Sequence, residues 1–260
     1  MTAIEFYLIV IIALFEVSAP RLFIGLDALD FSPDALTQLS HRRRVVFPIT
    51  QAAKCRQRHN PQIEAVCADG VGRVLLLQET PPRVELIDPK ALKVVASIDL
   101  AVEGRGEIAR SWSDPKGSRG EGTVLLPGGH LPVAKEKKPA ALIEFGPPHS
   151  GSRGLGRTGG RRAVAKICAD FSDLEIGPDG CLYLLSDKSS TIARLDDLPA
   201  GGGIAALLDA WRLGDPNGKS EGLAFTAQGC AIVGLDTRKS RRNLVLLDPA
   251  VAQLGDRRQS

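Results

Sequence analysis

Glu64, Glu121 and Glu221 are the residues whose type and spacing point most directly to chemistry. Each heads a sixteen-residue segment, and the three align without gaps: EAVCADGVGRVLLLQE at 64–79, EGTVLLPGGHLPVAKE at 121–136 and EGLAFTAQGCAIVGLD at 221–236. A fourth segment, SDLEIGPDGCLYLLSD at 172–187, opens on Ser172 with Asp173 directly after it. The sixteenth position is acidic in all four, as Glu79, Glu136, Asp187 and Asp236. Carboxylates supplied once per repeat can converge from several strands. Such a set suits Ca²⁺, a hard cation that takes about six to eight oxygen ligands. Glu64, Glu121, Glu221 and Asp173 are therefore the candidate metal ligands. Glu79, Glu136, Asp187 and Asp236 are candidate acids on the same face. A second reading stays open for that outer set. Lys135, Lys137, Lys138, Lys188, Arg238 and Lys239 flank it, so ion-paired turn residues would give the same pattern.

These acids need a scaffold that repeats. The ninth position is Gly in every segment (Gly72, Gly129, Gly180, Gly229), which predicts a hairpin turn there. Segment starts lie 57, 51 and 49 residues apart. After each last acid come a polar turn and an apolar run, at 84–87, 140–145, 191–195 and 243–247. A further run closes three units, at 93–100, 162–168 and 204–213. Four short strands every ~50 residues predict an all-β fold, a β-propeller of four-stranded blades. The innermost strand of a blade lines the central channel. Positions one and sixteen would then lie opposite each other at the end away from the hairpin turn. Like charges facing across a strand pair repel, so a bound cation or neighbouring lysines would have to compensate.

The N-terminal 1–50 reads as a partial fifth blade with a ring-closing strand at 43–49. The propeller proper spans 51–250, and 251–260 form a polar tail. The apolar run at 6–15 is bounded by Glu5 and Glu16, too short for the ~20 residues of a spanning helix and without a basic leader ahead of it. It reads as a buried strand, with cytoplasmic placement favoured over export. Residues 151–162, GSRGLGRTGGRR, read as a mobile surface loop within the second unit.

Composition narrows the function classes. There are 33 Lys and Arg against 30 Asp and Glu, a net charge of +3, and aromatics are 5%. That is too mildly basic and too poor in stacking rings for a nucleic-acid binder. Five cysteines with no C-x-x-C pair argue against a disulfide framework or zinc ribbon. Gly154-Leu155-Gly156-Arg157-Thr158-Gly159 matches G-x-G-x-x-G literally, yet no βαβ unit surrounds it, so no nucleotide cofactor is expected. His41, His59, His130 and His149 share no metal spacing.

The stretches 169–196 and 220–248 resemble blades of the SdiA-regulated-type propellers and the related esterase-like phytase group, which show D-[IL]-[SE]-G-L followed by P-x-G-x-L-x-x-x-S-D. The E-G-L opening is similar to that of the gluconolactonase/senescence-marker propellers, where such an acid binds a divalent metal. These families usually have six blades, against four and a partial one here. The resemblance implies a divalent cation at the channel mouth and a small-molecule ligand or protein bound on one face. Its alternative implication is a metal-dependent hydrolase of small esters, lactones or phosphoesters.

Overall fold

Gly72, Gly129, Gly180 and Gly229 all adopt φ between 79° and 91°. That left-handed region costs a residue with a Cβ, so the recurring glycine is there to let the chain reverse. Each repeat in this computed structural model accordingly opens with a hairpin. The structure describes residues 62–69, 72–88, 91, 93–102, 104–146, 156–159, 164, 166–196, 206–214, 219–226, 229–236 and 244–247, with short strands at 22–24 and 45–47.

Those two short strands, β1 (Leu22–Ile24) and β2 (Val45–Phe47), pair with each other antiparallel. The proposed strand at 6–16 lies outside the described residues. The first blade follows as β3 (Ile63–Ala68), β4 (Val74–Gln78), β5 (Arg83–Asp88) and β6 (Lys93–Asp99). A helix, α1 (Glu107–Ser113), leads to the second blade: β7 (Gly120–Thr123), β8 (Leu131–Lys135), β9 (Ala141–Phe145) and β10 (Gly156–Gly159). The third is β11 (Asp173–Ile176), β12 (Leu182–Ser186), β13 (Thr191–Leu195) and β14 (Leu207–Arg212). The fourth has β15 (Lys219–Phe225), β16 (Ala231–Asp236) and β17 (Leu244–Leu247). Every sheet is an antiparallel meander in chain order. Inner strands follow one another, β3 beside β7, β7 beside β11, and β11 beside β15. This is the blade order of a β-propeller.

The blades adhere through their middle strands. On β12, Leu182 and Leu184 join the core shared with the second blade, while Tyr183 and Leu185 join the core shared with the fourth. A strand buried on both faces has no solvent-facing side, so β4, β8 and β12 read as near-continuous apolar runs rather than alternating ones, each ending in a buried polar residue, Gln78, Lys135 or Ser186.

Three features differ from the expectation. The outer strand of the second blade is β10, inside the Gly/Arg-rich 151–162 that read as a loop, and the last four residues of the G-x-G-x-x-G match form it. An outermost strand needs only backbone hydrogen bonds, which glycine supplies as well as any residue. The described residues of the apolar run at 162–168 form no strand. Val164 and Cys168 are buried between the second and third blades, around a turn in which Val164 O accepts the Ile167 and Cys168 N–H groups. Helix α1 was not expected at all. Its two turns bury Ile108, Ala109 and Trp112, and Trp112 Nε1 donates to Leu100 O at 3.0 Å.

Candidate functional site

The end of each blade opposite the glycine turn is where the acids stand, and a backbone irregularity shapes it. In the first blade the register between β3 and β4 shifts between Ile63 and Ala65. In the second the shift lies between Gly120 and Gly122, and in the fourth between Ser220 and Gly222. The extra residue in each case is the glutamate: Glu64, Glu121 or Glu221. A β-bulge leaves its residue unpaired and re-aims its side chain. In the third blade Asp173 pairs regularly with Leu185 and no bulge forms.

The bulges correct the expected geometry. Position one does not face position sixteen, because the extra residue moves the pairing by one. Asp236 lies opposite Lys219. Glu136 N donates to Arg119 O, and Glu79 N donates to Gln62 O. The sixteenth-position acids thus meet cationic or neutral partners across the strand, although the charge of Glu79 still acts on Glu64 and that of Glu136 on Glu121.

The bulged glutamates nevertheless interact. Glu64 and Glu121 lie close enough that each acts on the protonation of the other. Burial, then the charges of Glu79 and Glu221, push Glu64 up to about 7. Burial, then the charges of Glu64 and Glu136, push Glu121 up to about 9. At neutral pH the pair therefore retains a proton that isolated carboxyls would lose. Glu221 is raised by burial, with Lys219 Nζ at 2.8 Å from its Oε1 opposing the shift. Asp173 is buried and raised well above the usual carboxylate range, although it accepts N–H groups from Leu223 at 2.7 Å and Leu174 at 2.8 Å.

The outer acids divide. Glu79 Oε1 accepts Arg119 N at 3.0 Å, and Asp187 Oδ1 accepts Ser220 N at 2.9 Å. Glu136 is ion-paired with Lys137. These are the ion-pair and turn roles left open as the second reading, with bonds between blades added.

Three participants escaped the sequence pattern. Glu175, two residues beyond Asp173 on the same face of β11, is pushed up to about 7 by burial. Period-two alternation along the inner strand was the signal for it. Cys67 lies within electrostatic reach of both acids, and burial raises its thiol. Lys135 is fully buried, and burial lowers its ammonium to about 8. His130, beside the turn glycine of the second blade, places Nδ1 2.7 Å from Glu144 Oε1.

No three His, Cys, Asp or Glu among the described residues form a ready-made metal set. The Glu64–Glu121 contact supplies two carboxylates of the hard-oxygen type that Ca²⁺ takes, and the remaining ligands would be water or a bound molecule.

No family model and no curated protein matches the chain. Among solved structures it is similar to a protein described as a candidate gluconolactonase, with 15% identity, TM-score 0.54, 88% of this chain and 67% of that one covered. A candidate 6-phosphogluconolactonase from Bacteroides uniformis overlaps at TM-score 0.47 and 13% identity, over 89% of this chain and 66% of that one. An inactive virginiamycin B lyase from Staphylococcus aureus, with quinupristin, overlaps at TM-score 0.46 and 9% identity, over 90% and 65%. The first overlap shows the propeller fold. The chain spans about two thirds of the length of these structures. Among the described residues no helix is long and apolar enough to cross a membrane.

Proposed function

We propose that this propeller binds a ligand at the bulged-glutamate end of its blades, with Ca²⁺ held between Glu64 and Glu121 and a small molecule or protein completing the site. The observation that carries the reading is the pairing of Glu64 with Glu121: two half-buried carboxyls, each the extra residue of a β-bulge, both raised by burial and by neighbouring acids. Such a pair has a held proton that a divalent cation would displace, since metal ligands must be deprotonated to bind. When bound, the cation would neutralise the pair and polarise an oxygen of the ligand.

The test is calcium titration in a weakly buffered solution. Added Ca²⁺ is expected to release protons between about pH 7 and 9, raise the melting temperature, and bind more tightly as pH rises. Glu121→Gln is expected to weaken binding at least about tenfold, or ~1.4 kcal/mol. No proton release and no thermal shift would end the calcium reading.

The same pair supports a second reading. Two carboxyls with separated protonation can act as general acid and general base. That is the hydrolase of small esters, lactones or phosphoesters implied by resemblance to the phytase-like and SdiA-regulated-type propellers. A substrate panel with added divalent metals separates the two readings: turnover lost in both Glu64→Gln and Glu121→Gln supports hydrolysis.

A further inference from the structure

We infer that Glu79 and Asp187 are positioning residues: each clasps the entry of the next blade's inner strand and so sets the bulge that presents Glu121 or Glu221. This rests on the reading above for its binding consequence, and on backbone geometry alone for its structural one.

The bonds recur at the same end of the strand, one residue apart in register. Glu79, the last acid of the first blade, accepts the N–H of Arg119, two residues before Glu121. Asp187, the last acid of the third blade, accepts the N–H of Ser220, immediately before Glu221. The Ser220 N–H borders the register shift of its blade, and the Arg119 N–H lies one residue further out, just before β7 begins. A buried N–H left without an acceptor is costly, so the carboxylate fixes the strand where its own sheet does not.

The first clasp is reinforced. Arg119 is buried, and its guanidinium donates to Glu79 O at 3.3 Å, Thr80 Oγ1 at 2.9 Å, Trp112 O at 2.9 Å and Asp114 O at 2.9 Å. The second has its own support, since Asp187 N donates to Ser172 Oγ at 3.2 Å.

The remaining interface acts as an internal control. Between the second and third blades the equivalent acid is Glu136, and its carboxylate is engaged by Lys137. Phe171 N is taken by the backbone carbonyl of Glu136 instead, at 3.1 Å. That interface leads to Ser172 and the regularly paired Asp173, with no bulge and no glutamate at the first position. At the three described interfaces between blades, the carboxylate clasp is present at the two that lead to a bulged glutamate and absent at the one that does not; the chain leading to the Glu64 bulge lies outside the described residues.

The experiment compares Glu79→Ala with Glu79→Gln, whose amide oxygen can still accept the Arg119 N–H without the charge. Two readouts are taken: the backbone amide spectrum, and calcium affinity. In Glu79→Ala the Gly120 and Gly122 cross-peaks are expected to move, the Arg119 amide to exchange at least about tenfold faster, and calcium to bind about tenfold more weakly. Glu79→Gln is expected to restore both readouts. Unchanged cross-peaks in Glu79→Ala would make the bond a strut between blades and overturn the inference. Equal effects in Glu79→Ala and Glu79→Gln would assign the effect to charge and overturn it equally. Should Glu79→Ala not fold, Asp187→Ala against Asp187→Asn asks the same of the Ser220 amide and the Gly222 cross-peak. Absent calcium binding in the wild type would count against the proposed function alone, because the amide readout decides the clasp without it.

Discussion

Replacing Gly122 with alanine is expected to cost the fold about 3 kcal/mol, the upper end for overpacking, and to lower the melting temperature by roughly 6–12 °C. A Cβ at Gly122 would come within 2.4 Å of Leu174 N, 2.6 Å of Asp173 C and 2.7 Å of Asp173 Cα. All three are backbone atoms of the third blade's inner strand, so no side-chain rotation relieves the contact. The second and third blades would have to separate at the inner strands, beside the acids. Gly222→Ala is the control. It occupies the same place in the repeated Glu-Gly motif, yet its Cβ would meet only Gly234 Cα, at 3.9 Å. It is expected to shift stability by less than about 0.5–1 kcal/mol. Thermal denaturation of the two variants side by side checks both statements. Equal melting temperatures would mean that β7 and β11 do not approach as closely as described.

Glu121→Gln is expected to stabilise the calcium-free protein, and to do so only above mildly acidic pH. The sign follows from the direction of the shift. The carboxyl is raised from 4.5 to about 9 by burial and by the charges of Glu64 and Glu136. Below the unfolded value both states are protonated and the group costs nothing. As pH rises the unfolded chain loses its proton first, so stability falls progressively until the folded state also ionises near pH 9. Glutamine imitates the protonated form at every pH. Urea midpoints should coincide near pH 4.5 and diverge by on the order of 2 kcal/mol at pH 8, a gain held below the full displacement because Glu64 keeps its own charge. Parallel curves across that range would show that Glu121 ionises normally. Saturating calcium is expected to reverse the order at pH 8, since the wild type gains ligand binding that the variant lacks.

Both results depend on features with different visibility in the sequence. The hairpin glycines were legible, because a chain reversal needs a positive φ and glycine supplies it at a fixed place in each repeat. The middle strands were legible because burial on both faces favours a near-continuous apolar run. Glu64, Glu121 and Glu221 were legible as a set, since nothing else repeats at that position. The bulges were not. A bulge is one residue of excess in a ladder, and the count appears only when both strands are paired. Strand β10 was hidden for the opposite reason, being held by backbone alone and carrying a composition that reads as a loop. Helix α1 presents only two turns, too few for a period to emerge before Trp112 docks against Phe145 with ring centroids 5.6 Å apart.

The sequence by itself determined the repeating unit, its four-strand rhythm and the end of each blade at which acids gather, because those follow from local turn chemistry and from which faces are buried. Only the tertiary structure decided what the acids do to one another. Whether Glu64 meets Glu121, whether Glu79 lies free or clasps Arg119, and whether Gly122 is needed while Gly222 is not all depend on the approach of neighbouring blades. That approach is set by side-chain packing between segments about 50 residues apart, which spacing along a single chain does not encode.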